Sequence, residues 1–219
     1  MAYRSTNPFT NTVEKSFDEL SDPQLQAKLQ AAQACFGSTW RDQSFAQRKA
    51  VLKRAAALMR ERQQALAKLA TLEMGKLIGQ SAGEVALSAA IIDYYADHAE
   101  AFLAPEPLKT DKGQAVVESS PLGILFGVEP WNYPYYQVAR FAAPNLMAGN
   151  VVMVKHAGIV PQCAIAFEKL WIEAGAPAGA YTNLLISHDQ VNRVIDDPRI
   201  KGVALTGSVD AGKIVAARA

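Results

Sequence analysis

Four groups of residues in this chain have the types and spacing for chemistry. Asn132 stands inside Pro130-Trp131-Asn132-Tyr133-Pro134, directly after the apolar run 122–128. The two prolines fix φ and remove backbone donors, so a rigid turn presents one side-chain amide. A fixed amide suits donation to an oxygen that gains negative charge; a turn asparagine bonded to its own backbone is the alternative. Lys155 ends a second apolar run, 151–154. A buried ammonium is costly, so this lysine reaches a ligand or snorkels to solvent. Thr206-Gly207-Ser208 lies between a strand pattern and a helix pattern, where N–H groups and the helix dipole favour a phosphate. Arg140 follows Asn132 by eight residues, about two helical turns. Its neighbours Val138, Ala139, Phe141 and Ala142 are apolar, which predicts a partly buried guanidinium that takes an anion. A planar fork suits a carboxylate; an ion pair with a glutamate of another helix is the alternative.

Gly207 to Ile214 also matches a GxxxxGK phosphate-binding loop, but Ile214 stands where a magnesium-binding hydroxyl belongs, so nucleotide hydrolysis is disfavoured.

These groups need elements to hold them. Residues 1–20 read as an extended arm. Ser21-Asp22-Pro23 starts a helix that Gly37 stops. Ser44 with Gln47 forms a capping box. The helix it opens sets Val51, Leu52, Ala55, Leu58 and Met59 on one face, with Arg48, Lys49, Lys53 and Arg54 elsewhere. A further helix runs from Gln63 to Met74 and ends at Gly75. Ser81 with Glu84 reads as another capping box, opening a helix to about Phe102. Between Pro105 and Pro121, residues 114–119 form a short strand. Strand and helix then alternate: strands 122–128, 151–154, 183–187 and 202–206, with helices to about Met147, over 161–174, over 190–195 and from near Val209. Such alternation with short loops implies a parallel, doubly wound sheet. The fold class is therefore α/β: a helical N-terminal scaffold packed on a Rossmann-like parallel sheet. The divisions are a helical part, 1–104; a bridging segment, 105–121; and a dinucleotide-binding part, 122–219. Ligands of such sheets bind at the carboxyl ends of the strands, so Asn132 and Lys155 are expected to face one crevice.

Composition narrows the function. A net charge of +1 over 219 residues gives no argument for nucleic acid. The basic residues of the early helices read as a solvated face interleaved with glutamates. No apolar run reaches the length of a membrane span, and the first twelve residues lack the apolar core of a secretion signal. Cys35 and Cys163 have no metal-ligand spacing and suggest no disulfide scaffold. The expectation is a cytoplasmic protein with no metal, acting on a small molecule.

PWNYP and VVMVKHAG, within Ser120 to Lys155, resemble the aldehyde dehydrogenase superfamily, and LTGSVDAG near the C-terminus extends the resemblance through most of the chain. The resemblance implies several roles. Asn132 would donate to the oxyanion of a thiohemiacetal. Trp131, Asn132, Lys155, His156, Ala157, Gly158, Gly207 and Ser208 would bind NAD or NADP. His156 would be a wall of the cofactor pocket, and Gly175-Ala176-Pro177-Ala178-Gly179 a turn beside the adenine. Many NAD-preferring relatives carry a glutamate three residues after the lysine. Gly158 stands there, which removes repulsion toward a 2′-phosphate and favours NADP. Members acting on succinate semialdehyde are similar at Arg140, which would hold the substrate carboxylate. Residues 105–121 would join an oligomerisation arm, making the enzyme a homo-oligomer, a dimer or a tetramer. The family's cysteine nucleophile and glutamate base belong to segments downstream of the TGS motif, so these 219 residues alone are expected to be inactive. A non-catalytic dinucleotide-binding or interaction module is the other reading.

Overall fold

The computed structural model describes residues 3–219. The extended arm is a hairpin: β1 (Tyr3–Asn7) pairs antiparallel with β2 (Thr12–Phe17). Residues 1 and 2 of the expected arm lie outside the described residues.

Helix α1 (Asp22–Cys35) begins as expected, with Ser21 and Gln24 capping each other. Gly37 does not stop it. The chain continues through a π-helical turn, Phe36–Trp40, that buries Trp40. The Trp40 indole N–H donates to the Leu146 carbonyl at 3.1 Å, so tertiary packing overrides the glycine. Helices α2 (Phe45–Glu61) and α3 (Gln63–Met74) follow the sequence pattern, and Gly75 closes α3 with a φ of 73°. Arg48 departs from that pattern. It is buried and donates to the carbonyls of Met147, Arg41 and Gln43.

Helix α4 (Ile78–Phe102) begins three residues before Ser81. Ser81 and Glu84 are both buried inside the helix, so no capping box exists there. The motif is local, whereas the start of α4 is set by the tight exit from α3 at Gly75. The basic residues of α2 form surface ion pairs with α4: Lys49 and Lys53 with Asp97, and Lys53 and Arg60 with Asp93. Their partners are aspartates of a neighbouring helix, and such exposed pairs contribute little each.

Strands β3 (Glu106–Leu108) and β4 (Ala115–Val117) form an antiparallel ribbon with Leu108, Val116 and Val117 exposed. The main sheet contains β5 (Ile124–Glu129), β6 (Val151–His156), β7 (Tyr181–Asn183) and β8 (Ile200–Leu205), all parallel, in the order β7-β6-β5-β8. Helices α5 (Tyr136–Met147), α6 (Pro161–Glu173), α7 (His188–Ile195) and α8 (Val209–Arg218) alternate with these strands. The β7 strand lies earlier than the expected 183–187: the Leu184 N–H still reaches the Val154 carbonyl, but Leu185 then accepts from the Leu20 N–H and Ile186 pairs with the Tyr3 hydroxyl instead of with β6. Strand order reverses between β5 and β8. Right-handed crossovers place α5 and α6 on one face and α7 on the other, and the reversal makes the β5–β8 crest the topological switch point.

Valines and Met153 of β6 are fully buried, as are Val138, Ala139, Ala142 and Ala143 of α5. Tyr135, Phe167, Trp171 and Tyr181 pack edge to face or tilted around Phe167. Helices α2, α3 and α4 form a second layer behind α5 and α6.

Candidate functional site

The crest is built from the last residues of three strands. Val128 of β5 is in register with Lys155 of β6 and Leu205 of β8, and Glu129 with His156. Side chains alternate along a strand. A Cβ on Gly127 would stand 2.7 Å from the Phe141 ring of α5, so Gly127 and Glu129 face α5. Lys155, in register with Val128, faces the other way. The two sides of the crest therefore differ at Glu129 and Lys155, and the cavity on the Lys155 side does not have Asn132 among its walls.

On the Lys155 side lies a cavity of about 550 Å³. Tyr3, Glu19, Lys155, Gly158, Ile186 and His188 are among its walls. Lys155 is 8% exposed, and its ammonium donates to the His156 carbonyl at 3.3 Å. Burial lowers its pKa, and the charge of Glu19 partly offsets this. The Tyr3 hydroxyl donates to the Ile186 carbonyl at 2.7 Å and accepts from the Ile186 N–H at 3.0 Å. These bonds fix β1 over the cavity mouth. Gly158 has no strained φ, and an added Cβ would meet only the Tyr3 ring at 4.0 Å. Packing would admit a side chain there, so the missing carboxylate is a matter of chemistry and not of space. The cavity thus has a cation in its wall and open space at Gly158.

His156 stands apart from this cavity. It is 1% exposed, on the α5 face, with Nε2 3.1 Å from the Pro134 carbonyl. Burial pushes its pKa down to about 4. Adjacent strand residues face opposite ways, so Lys155 and His156 cannot line one wall. Ala157 is not among the cavity walls either; its N–H donates to the Glu129 carbonyl. The Gly175-to-Gly179 turn is also displaced. It precedes β7, and Tyr181 is in register with Val152 at the start of β6, so the turn lies at the amino end of the sheet.

On the α5 side, Trp131, Asn132 and Tyr133 are exposed. The Asn132 side chain makes no hydrogen bond to the described residues, which leaves its amide available. Tyr133 packs edge-on against Tyr136 at 5.8 Å, and the Arg140 guanidinium lies 5.5 Å from the Tyr136 ring centre. Asn132, Tyr133, Tyr136 and Arg140 therefore share one surface. Arg140 is exposed and makes no ion pair within 4 Å among the described residues, contrary to the partly buried group its apolar neighbours suggest. Those neighbours face the core while Arg140 takes the outer side of α5.

Glu129, absent from the sequence reading, is 4% exposed beneath this surface. One of its carboxylate oxygens, Oε2, finds no hydrogen-bond partner among the described residues. Burial raises its pKa to about 8, and the Thr206 side chain and the Arg140 charge pull it back only partly. At the end of β8, Ser208 caps α8 by accepting from the Ala211 N–H at 3.2 Å. Gly207 and Ser208 thus present a helix N-terminus at the switch point, as their position implied.

Both cysteines are buried. Burial pushes the Cys35 thiol up to about 11 and raises that of Cys163 well above its ordinary value. Neither has the character of a thiolate nucleophile. Among the described residues no group of three or more His, Cys, Asp or Glu could hold a metal, and no helix is long and apolar enough to cross a membrane.

Comparison with known proteins identifies relatives. The aldehyde dehydrogenase family model matches residues 1–219. The chain is 45% identical over 214 residues to a succinate-semialdehyde dehydrogenase [NADP(+)] of Deinococcus radiodurans, covering 98% of this chain and 45% of that one. It is 44% identical to a probable enzyme of the same name from Synechocystis, covering 100% of this chain and 48% of the relative. The crystal structure of succinic semialdehyde dehydrogenase from Streptococcus pyogenes in complex with NADP+ superposes with a TM-score of 0.96 at 45% identity, covering 99% of this chain and 48% of that chain. The chain spans less than half the length of these relatives.

Proposed function

The chain belongs to the aldehyde dehydrogenase family, and we propose that it is the cofactor-binding part of an NADP+-dependent enzyme that oxidises succinate semialdehyde or a similar ω-carboxylated aldehyde. The observation that carries this reading is the two-sided crest. A cavity of about 550 Å³ has Lys155 in its wall on one side. On the other, the Asn132 amide and the Arg140 guanidinium, neither with a side-chain hydrogen bond among the described residues, share one aromatic surface.

Lys155 and the open space at Gly158 would hold the phosphorylated ribose, and the α8 N-terminus at Gly207 and Ser208 the pyrophosphate. Trp131 and Asn132 would border the redox end. Bound there, NADP+ supplies the hydride acceptor. Asn132 donates a hydrogen bond to the aldehyde-derived oxygen as that oxygen gains charge. Arg140 holds the remote carboxylate and so fixes the aldehyde near Asn132. Neither buried cysteine serves as nucleophile; that group and the general base come from outside these 219 residues. His156 and Ala157 support the crest and do not touch the cofactor. The exposed β3–β4 ribbon joins subunits of a cytoplasmic homo-oligomer. Residues 1–104, 105–121 and 122–219 serve as scaffold, bridge and nucleotide-binding part.

Substituting Arg140→Ala in the native enzyme tests the substrate assignment. A charge-assisted pair is worth ~1.5–3 kcal/mol, so KM for succinate semialdehyde should rise ~10- to 100-fold. Steady-state kinetics with butanal, which lacks the carboxylate, should be unchanged. Equal losses with both aldehydes would refute the role of Arg140.

A further inference from the structure

Asn132 is useful as a donor only if its backbone is held, and the clamp that holds it comes from a distant part of the chain. Lys76, in the link between α3 and α4, donates to the Asn132 carbonyl at 2.8 Å. The same ammonium pairs with Glu84 Oε2 at 2.5 Å, with side-chain exposures of 7% and 0%. It also lies 3.5 Å from the centre of the Tyr133 ring. The other Glu84 oxygen accepts from the N–H groups of Tyr135 and Tyr136, at 2.8 and 3.1 Å. These are amides at the start of α5, which has no side-chain cap of its own.

One buried ion pair thus grips the turn at its centre, through the Asn132 carbonyl, and just past its C-terminal end, through the Tyr135 and Tyr136 amides. Pro130 and Pro134 fix φ within it. Among the described residues no hydrogen bond holds the Asn132 side chain itself, so its aim is set by the backbone. A buried pair of this kind contributes little net stability against an apolar replacement, but losing one partner leaves the other charge unpaired.

We infer that Lys76 and Glu84 are positioning residues for Asn132, fixing the direction in which its amide donates. The inference rests on the oxyanion role given to Asn132 above. A misplacement of about 1 Å costs a rate factor on the order of 100.

The experiment is kinetic and structural, on the native full-length enzyme. With Lys76→Met, kcat for succinate semialdehyde should fall ~100-fold, while the aldehyde KM and the NADP+ dissociation constant stay within about threefold. Amide hydrogen exchange at Tyr135 and Tyr136 should quicken by about tenfold or more, with no change at Val138 to Met147. Lys76→Arg keeps a cation with donors for both acceptors and should recover most of kcat. Should Lys76→Met not fold, Lys76→Gln is read by the same criteria. Unchanged kcat, or unchanged exchange at Tyr135 and Tyr136, overturns the inference. A wild-type enzyme that oxidises no aldehyde overturns the proposed function instead, and the exchange comparison still decides whether Lys76 holds the turn.

Discussion

Glu129 sets the pH response of the crest. Its folded pKa is about 8 against an ordinary 4.5. Between those values the folded protein keeps a proton that the unfolded chain releases. Stability therefore falls as pH rises from about 4.5 to about 8 and levels off above. A tenfold change in proton affinity is worth about 1.4 kcal/mol, so the loss across this range amounts to a few kcal/mol. Glu129→Gln keeps the shape and removes the charge. Urea denaturation should show the variant equal to wild type near pH 5 and more stable near pH 8.5, and equal stability at both pH values would refute the assignment. His156 contributes in the opposite direction over an overlapping range and offsets part of the Glu129 effect below pH 6.5. Its pKa falls from 6.5 to about 4, so below pH 6.5 the unfolded chain binds the proton first and stability declines. The turn around Asn132 and the helical position of Arg140 were legible in the sequence because both are local, but the exposure of Arg140 was not, because its apolar neighbours do not show which side of α5 it takes. Glu129 was not, because nothing in its sequence neighbours reveals that a carboxylate ending a strand is covered by a helix.

Helices α5 and α6 have no side-chain cap of their own and are capped from other helices. Glu84 of α4 caps α5, and Glu73 of α3 caps α6 by accepting from Gln162 N–H and Cys163 N–H, both at 2.9 Å. Glu73 is 2% exposed, and burial raises its pKa against the pull of those two donors. Glu73→Ala would strand two buried amides and leave a void. The expected cost is ~2–4 kcal/mol, measurable as a lowered urea midpoint; a change below about 0.5 kcal/mol would contradict the capping role. This arrangement explains the main misreading of the sequence. Ser21/Gln24 and Ser44/Gln47 are capping boxes, and Ser81/Glu84 has the same form but lies inside a helix. A motif of four residues cannot show that its glutamate serves a helix some fifty residues away. The parallel sheet was legible because strand–helix alternation is a pattern along the chain. Strand alternation separates Lys155 from His156, but the resemblance put both in one pocket, and the facing of each side chain emerged only with the packing of α5 against β5 and β6. The order β7-β6-β5-β8 was not legible, because it depends on which strands pair.

Across the whole molecule, a layer of helices (α2, α3 and α4) braces the pair α5 and α6, and that pair sets the crest. The described residues leave β8 at the edge of the sheet, half-buried, and α8 with no buried residue. Relatives run to about twice this length. Tyr3 of the N-terminal hairpin and Glu19, two residues beyond it, line the cavity together with Lys155. That carboxylate opposes a 2′-phosphate, while the bare Gly158 favours one. Lys155 and Gly158 lie together at the end of β6, and the account gives them the greater weight. The most direct test is kcat/KM of the native enzyme for NADP+ and for NAD+, each with saturating succinate semialdehyde. The account predicts that NADP+ is preferred by about tenfold or more, corresponding to ~1.4 kcal/mol. Preference for NAD+, or no aldehyde-dependent reduction of either cofactor, would contradict it.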